Sequence, residues 1–306
     1  MAEAARLIRS GGLVAFATET VYGLGADATS PEAVAKIYAA KGRPSFNPLI
    51  AHVTGLDAAE RQGRFSPDAV RLAQAFWPGP LTLVVPVADS ASVCELARAG
   101  LSTVALRAPA HPVAQALLAE VGRPVAAPSA NRSGRVSPVT ADHVLEDLAD
   151  RIDAVLDAGP TDVGLESTIV ACLDGPPVLL RPGGVARGRI EALVGPLAAP
   201  QAGKVEAPGM LASHYAPRAR LRLGASDLRP GEAGLDFAGR LHKRTGQPTL
   251  DLSPSGDLVE ASASLYAYLR RLDASGVDSI AVAPIPEEGL GEAIADRLRR
   301  AAAPRN

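Results

Sequence analysis

Short apolar runs, each ended by a proline, a glycine or a polar residue, recur through residues 1–185 and limit the folds open to this chain. Leu13–Ala17, Leu49–Val53 and Leu81–Val87 have the length of buried strands and are too short for core helices. Helical patterns with a Ser cap and proline at the first position lie between them, at Pro31–Ala40 and Pro67–Phe76. This alternation predicts a sheet with flanking helices.

The same pattern continues and divides the chain. Further strands are predicted at Val104–Leu106, Val125–Ala127, Val155–Asp157, Ser167–Ala171 and Val178–Leu180, and further helices at Pro112–Val121 and Thr140–Leu148. Beyond the linker, strands are predicted at Arg220–Leu223 and Ser279–Ile285 and helices at Leu258–Leu272 and Gly291–Ala302. We therefore predict an α/β protein. Its domains would span residues 1–187 and 218–306, joined by an Ala-, Gly- and Pro-rich linker over residues 188–217.

Composition excludes several classes of protein. The net charge of −2 and the isoelectric point near 6.2 give no overall attraction to nucleic acid or to an anionic membrane. The longest apolar runs fall short of the about 20 residues that cross a bilayer. The five histidines lack metal-binding spacing, so no protein-built metal site is predicted. Cys94 and Cys172 lie far apart and suit a reducing compartment. We expect a cytoplasmic protein that binds no membrane.

The stretch KGRPSFNPL, residues 41–49, places two cations at one turn. Gly42 allows a sharp turn, and Pro44 keeps Arg43 out of helical geometry. Lys41 and Arg43 would then be presented together from one loop. An ammonium and a planar guanidinium suit a polyphosphate. An ordinary solvated turn is the alternative.

Two further patterns indicate an anionic ligand. In VAAPSANRSGRVSP, residues 125–138, a strand runs into a loop of small polar residues and glycine, as an anion-binding nest requires. No P-loop sequence is present there. Arg43, Arg107 and Arg181 are each predicted to stand at a strand end, with proline one or two residues on. Strand ends of an α/β sheet meet at one rim, where ligand crevices form. A plain polar loop is the alternative for the first pattern.

Three stretches carry weaker signals. In TETVYGLGADA, residues 18–28, Thr20 could bind a small polar substrate, and the GLG segment predicts a tight turn. In GLESTIV, residues 164–170, Ser167 could meet a substrate, although hydroxyls at a strand start usually cap the backbone. His214 and Tyr215 fall within the linker, where they could form a lid contact or a packing contact between domains.

Taken in order, TETVYGLGADA, KGRPSFNPLIAH, FWPGPLT, TVALRAPAHP, APSANRSGRVSP, GLESTIV and LLRPGGV resemble the YrdC/Sua5 family, the threonylcarbamoyl-AMP synthases. The HYAP segment and the α/β tail are similar to the longer Sua5-type members. Glu19 stands where many members have Asp. The resemblance implies a twisted N-terminal YrdC-like sheet with a concave cleft and a smaller Rossmann-like C-terminal domain.

The resemblance also implies a reaction. L-Threonine, bicarbonate or CO2, and ATP with Mg2+ would form threonylcarbamoyl-AMP and pyrophosphate, and the product would pass to the tRNA threonylcarbamoyl transferase machinery for the t6A37 modification. No covalent nucleophile is expected, and Lys41 and Arg43 would stabilise transition-state charge. The residues implied for ATP are Lys41, Arg43, Asn47, Thr103, Ser129, Ser137, Arg181 and Tyr215. Those implied for threonine are Thr20, His52, Arg107, Ala127 (through its backbone) and Ser167.

Two alternatives stay open at this point. A YrdC-like fold could present a concave basic surface to double-stranded RNA or tRNA without synthase activity. Recognition of RNA by shape needs several exposed cations along one face, and lysine is scarce here, so no stable nucleic-acid binding is expected. A paralogue that has kept the cleft and lost the activity is the other alternative, and the retained SAN and HYAP segments argue against it.

Overall fold

The computed structural model describes residues 1–200, 207–208, 214–242 and 246–304, and these residues form two sheets. The strands of the first sheet are β1 (Val14–Phe16), β2 (Gly23–Asp27), β3 (Ile50–His52), β4 (Leu81–Pro86), β5 (Thr103–Arg107), β6 (Val125–Ala126), β7 (Ala154–Leu156), β8 (Thr168–Ala171) and β9 (Val178–Arg181). Their order is β7-β1-β2-β6-β3-β5-β4-β8-β9, with parallel and antiparallel neighbours. The predicted N-terminal strands are confirmed within one or two residues.

Helices pack against this sheet, and the four predicted between residues 31 and 148 are confirmed. They are α1 (Ala2–Arg9), α2 (Pro31–Lys41), α3 (Leu56–Glu60), α4 (Pro67–Phe76), α5 (Pro112–Val121) and α6 (Ala141–Leu148). The Ser caps predicted for α2 and α4 are confirmed, because the hydroxyls of Ser30 and Ser66 accept hydrogen bonds from the third backbone N–H beyond them. The hydroxyl of Thr140 caps α6 in the same way. Each such cap is worth about 1 kcal/mol to its helix.

The second sheet is small and parallel. Its strands are β10 (Arg220–Arg222), β11 (Glu232–Asp236), β12 (Thr249–Asp251) and β13 (Ser279–Val282), in the order β10-β13-β11-β12. Two long helices of this region are α8 (Leu258–Ala274) and α9 (Gly291–Ala302). The predicted α/β character of this region is confirmed, whereas β11 and β12 have no counterpart in the sequence-based prediction.

The predicted tight turn at GLG is wrong, since Gly23–Asp27 is strand β2, paired antiparallel with β1. Neither glycine is among the residues with positive φ, so neither is needed for a turn. A Cβ on Gly25 would lie 2.8 Å from the ring of Phe16, and one on Gly23 would lie 3.2 Å from the Cβ of Ala127. The glycines therefore allow close packing inside the sheet, which local sequence does not distinguish from a turn.

Part of the predicted linker is helical. Residues Arg187–Val194 form helix α7, in which Ile190 is buried in the N-terminal core. The guanidinium of Arg187 also pairs with Glu292 of α9 at 2.5 Å. These long-range contacts stabilise a segment whose apolar pattern is too short to predict a helix. Residues 201–206 and 209–213 of the predicted linker lie outside the described residues, and the predicted domain boundaries stay a prediction.

One apolar cluster joins the two sheets. Val21, Val139 and Leu165 from the N-terminal half belong to the same buried cluster as Leu265 of α8 and Ile294 of α9. Because apolar burial is worth about 25 cal/mol per Å², a shared cluster of this kind holds the two halves in one arrangement. Among the described helices, none is long and apolar enough to cross a membrane.

Candidate active site

Side chains from distant parts of the N-terminal half converge on one cavity of about 40 Å³. Nine of the thirteen predicted site residues line it: Thr20, Arg43, His52, Arg107, Ala127, Ser129, Ser167, Arg181 and Tyr215. The cavity is far smaller than ordinary ligand pockets of about 300–1,000 Å³. Substrates as large as a nucleotide therefore require the lining side chains to move apart.

Neighbouring strands bring His52 and Arg107 together. β3 and β5 are parallel, and their register places His52 directly beside Arg107 at the same end of the sheet. β6 flanks β3 on its other side, and the Ala127 N–H donates to the carbonyl of Ile50 at 3.0 Å. Three of the residues predicted for threonine therefore lie side by side because of strand pairing.

The guanidinium of Arg107 is buried and anchored. Its Nη2 donates to Glu19 Oε1 at 2.7 Å, and its Nε donates to the Gly79 carbonyl at 3.3 Å. The other carboxylate oxygen of Glu19 accepts the Ala110 N–H at 3.0 Å. Glu19 thus orients Arg107 on one edge, and the Nη1 edge is the part that could meet a substrate carboxylate. Local sequence does not predict this pairing, because the two residues lie 88 positions apart in the chain.

His52 is a neutral side chain in this site. Burial first, and then the nearby Arg107, lower the pKa of His52 to about 3. Its Nδ1 lies 3.3 Å from the Ile50 carbonyl, and its ring is nearly perpendicular to that of Phe16, with the centroids 6.4 Å apart. At neutral pH the imidazole can exchange hydrogen bonds with a substrate but cannot supply a positive charge.

Lys41 joins helix α2 to the polar loop after β6. It is the last residue of α2, and Gly42 ends the helix in the left-handed conformation. Its ammonium donates to the carbonyls of Ser129 and Asn131, each at 2.5 Å. Burial, followed by the charge of Arg43, lowers the pKa of Lys41 well below its ordinary value. The prediction that Lys41 lies in a loop is therefore wrong by one residue. Its contact with the loop at 125–138 depends on tertiary packing, which local sequence does not show.

Arg43 and Arg181 are held by neutral oxygens. Arg43 donates to the carbonyls of Asn47 and Pro48 at 3.2 and 3.0 Å. Arg181 donates to the carbonyls of Ser167 at 2.8 and 3.2 Å and of Pro208 at 3.2 Å. Burial lowers the pKa of Arg43 to about 10, which leaves it charged at neutral pH. In the described part of the chain, no direct ion pair neutralises either guanidinium, so both keep their charge for an anion.

Four predicted residues lie outside the cavity lining. Lys41 and Asn47 lie behind it, next to Ser129 and Arg43 respectively. Ser137 donates its hydroxyl proton to Glu166 at 2.6 Å. Thr103 begins β5 and Arg107 ends it, so about 13 Å separates them along the strand. The alternation of side chains places Thr103 on the same face as Arg107.

Glu166 and His214 line the cavity but were not predicted as site residues. Burial alone would raise the pKa of Glu166, but Arg297, Arg181 and the Ser137 hydroxyl outweigh it, and the pKa is about 2. Burial, then the charge of Arg43, lowers the pKa of His214 to about 3. The only sequence signal for Glu166 was an acid at the opening of an apolar strand, which is too common to carry a prediction.

Tyr215 belongs both to the cavity and to the contact between the two halves. Its ring stacks on Tyr266 of α8 with the centroids 5.9 Å apart and the planes at 23°. The next backbone N–H, of Ala216, donates to the Gly134 carbonyl at 2.8 Å. Pro208 also reaches the cavity. The packing contact predicted for this residue is confirmed, whereas the lid contact stays a prediction.

Comparisons with known proteins cover nearly the whole chain. Residues 6–183 match the Sua5_yciO_yrdC family model, which is described as "Telomere recombination". Residues 185–303 match the Sua5_C model, which is described as "Threonylcarbamoyl-AMP synthase, C-terminal domain".

Individual relatives agree with the family models. A protein of Bacillus subtilis (strain 168) named "Threonylcarbamoyl-AMP synthase" is 43% identical over 321 residues, covering 99% of this chain and 92% of the relative. A protein of Pyrococcus abyssi (strain GE5 / Orsay) with the same name is 43% identical over 316 residues, covering 97% of this chain and 92% of the relative. The crystal structure of P. abyssi Sua5 complexed with L-threonine superimposes with a TM-score of 0.91 at 39% identity, covering 98% of this chain and 93% of that one.

Proposed function

This chain belongs to the Sua5/YciO/YrdC family, in the branch of two-domain threonylcarbamoyl-AMP synthases, and we propose how its cleft carries out that synthesis. The enzyme is a nucleotidyltransferase that uses L-threonine and ATP as substrates. The carboxyl group would come from bicarbonate or CO2. The observation that carries the proposal is the convergence of nine predicted ligand residues from Thr20 to Tyr215 on one cavity.

Threonine would bind at the paired ends of β3 and β5. Arg107 would hold the threonine carboxylate, with Glu19 fixing the guanidinium by an ion pair of 2.7 Å. Neutral His52, Thr20 and Ser167 supply hydrogen-bonding groups around the amino acid without adding charge. An uncharged threonine amine would attack the carbon of CO2, opening one C=O π bond to give a carbamate, and the proton lost by the nitrogen would pass to water. If bicarbonate is the substrate, the same attack would break its C–OH bond, and the hydroxide would leave as water with the amine proton.

ATP would bind along the cationic side of the cavity. The carbamate oxygen would attack the α-phosphorus, and the bond from that phosphorus to the pyrophosphate oxygen would break. Lys41, Arg43 and Arg181 would offset the negative charge of the triphosphate and of the leaving group. Backbone carbonyls already orient these cations, so once ATP has widened the cavity little further reorientation would be needed when charge develops. Asn47, Ser129, Ser137 and Tyr215 would provide further contacts to the nucleotide, as would Thr103 farther along β5.

Mg2+ would enter as part of the MgATP substrate. In the described residues, no group of three or more His, Cys, Asp or Glu side chains is placed to hold a metal ion. Mg2+ is commonly held by phosphates and water with few protein ligands, so the triphosphate would supply most of its ligands. The side chains of this chain would then act on the phosphates and not on the metal.

The linker would act as a lid. Pro208, His214 and Tyr215 line a cavity too small for a nucleotide, so these linker residues would move outward when ATP enters and return over it. We further propose that the product is passed to the tRNA threonylcarbamoyl transferase machinery in the cytoplasm, where tRNA is modified.

Mass spectrometry tests the reaction directly. The purified chain is mixed with ATP, Mg2+, L-threonine and bicarbonate, and the mixture is searched for threonylcarbamoyl-AMP and pyrophosphate. We expect both products, and neither when threonine is omitted. Absence of the adenylate, together with a salt-dependent shift of RNA, would instead favour the RNA-binding alternative.

A further inference from the structure

Glu166 is an acidic side chain in a cavity that otherwise collects cations. It lines the cavity with Arg43 and Arg181, and its side chain is only 8% exposed. An ionised carboxylate at this place would repel the phosphates of a nucleotide unless its charge is compensated. The groups that offset the negative charge of Glu166 therefore bear on whether this cavity can bind a nucleotide.

Two of the groups that compensate Glu166 come from the C-terminal half, 100 and 131 residues along the chain. The Arg297 Nε of α9 donates to Oε2 at 2.8 Å, and the Tyr266 hydroxyl of α8 donates to the same oxygen at 2.8 Å. Burial, then the charge of Glu166, raises the pKa of Tyr266 well above its ordinary value, so its hydroxyl keeps the proton that it donates. On the other oxygen, Glu166 accepts the Ser137 hydroxyl at 2.6 Å.

The same two side chains hold the linker aromatic. Tyr215 stacks on the ring of Tyr266, and the guanidinium carbon of Arg297 lies 5.0 Å from the Tyr215 ring centroid. Stacking and cation–π contacts of this kind are strongest when they are desolvated, and the Arg297 side chain is 0% exposed. One pair of C-terminal residues therefore contacts both a cavity acid and the aromatic residue of the linker.

Local packing places this pair within reach of Glu166. Gly164 has φ +70°, and a Cβ there would lie 2.4 Å from the Ser262 carbonyl oxygen of α8. Only a glycine lets the strand-opening segment approach the helix so closely. Two residues beyond Gly164 the chain reaches Glu166, and one helical turn beyond Ser262 it reaches Tyr266.

We infer that Arg297 and Tyr266 are positioning residues for the nucleotide, so that the C-terminal half completes the ATP site. Arg297 offsets the charge of Glu166, and Tyr266 donates a hydrogen bond to the same carboxylate. Glu166 in turn orients the Ser137 hydroxyl, and the two C-terminal side chains hold Tyr215 over the cavity. This inference rests on the proposed synthase activity. The alternative is that the buried ion pair only joins the two halves. Its loss would then lower stability without changing KM for ATP more than KM for threonine.

Arg297→Met tests the inference, with Arg299→Met as the matched control. Both residues lie on α9, and each forms an ion pair with a glutamate. The partners Arg299 and Glu287 are both exposed to solvent. We expect Arg297→Met to raise KM for ATP at least tenfold while KM for threonine, which carries no net charge, changes less than about twofold. Arg297→Lys, which keeps the charge, should recover part of the loss. Arg299→Met should match the unmodified enzyme.

Tyr266→Phe keeps the ring and removes only the hydroxyl, so it decides the question if Arg297→Met fails to fold. We expect it to raise KM for ATP about threefold, as loss of one hydrogen bond predicts, and to lower the melting temperature by only a few degrees. The inference is overturned if the folded variants keep the normal KM for ATP, or if both KM values rise together. If the unmodified chain itself makes no threonylcarbamoyl-AMP, the proposed function fails instead.

Discussion

Gly183→Ala should damage the site through backbone contact alone. Gly183 follows Arg181 and Pro182, and a Cβ there would lie 2.4 Å from the Glu166 carbonyl oxygen and 2.5 Å from the Ser167 carbonyl carbon. Ordinary contacts begin at 3.4 Å, so the two segments would have to separate by about 1 Å. Because the obstructing atoms belong to the backbone, no side-chain rotation can relieve the contact.

The magnitude follows from that displacement. Overpacking usually costs about 1–3 kcal/mol, and a backbone obstruction is at the upper end of that range. The displaced segments carry Arg181 and Ser167, one predicted for each substrate. A misplacement of about 1 Å can cost about 100-fold in rate, so we expect kcat/KM to fall by about 10- to 100-fold.

Gly188→Ala is the matched control, because Gly188 lies within helix α7 and a Cβ added there would meet no atom within 4 Å. Alanine at this position should leave kcat/KM unchanged and stabilise the helix by up to about 1 kcal/mol. Threonine-dependent pyrophosphate release gives kcat/KM, and urea unfolding gives the free energy of unfolding. A Gly183→Ala enzyme with normal values of both would refute the close approach on which this reasoning depends.

Three further predictions concern single side chains. Arg43→Ala should lower threonine- and bicarbonate-dependent pyrophosphate release more than about tenfold, because one anchored cation is lost; near-normal release would count against its role. Tyr215→Ala should weaken ATP binding in calorimetric titration, and unchanged nucleotide affinity would reject the lid. Glu166 has a folded pKa of about 2 against an ordinary 4.5, so its ionised form stabilises the fold by about 3 kcal/mol above pH 4.5. That contribution should disappear as the pH falls from 4.5 towards 2, and urea unfolding of Glu166→Gln should lack this part of the acid sensitivity.

The anchoring of the cations bears on how the site works. Lys41, Arg43 and Arg181 all donate to carbonyl oxygens, which fix their positions without cancelling their charges. Arg107, by contrast, is held by the carboxylate of Glu19. The expected ligands differ in the same way, because a triphosphate carries several charges and the threonine carboxylate carries one. The cations proposed for the triphosphate thus have neutral partners, whereas the arginine proposed for the singly charged carboxylate has a charged one.

Most of the secondary-structure elements and most of the cationic residues of the site could be predicted from local sequence. Ser30 and Ser66 with the prolines after them set the starts of α2 and α4, and the short apolar runs set the strands, because caps and periodicity act over a few residues. Arg107 and Arg181 could be identified because each ends a strand and is followed closely by a proline. The strand-end prediction is wrong for Arg43, which follows the end of helix α2 and precedes β3 by seven residues.

Which distant groups meet depends on the packing of the whole chain. Gly23 and Gly25 lie in a strand and not a turn because Phe16 and Ala127 pack against them. The pairing of Glu166 with Arg297 joins residues 131 positions apart, and no local pattern records which buried acid will face which buried base. Local propensity acts within a few residues, whereas the charge balance of the cavity depends on how the sheets and helices pack together.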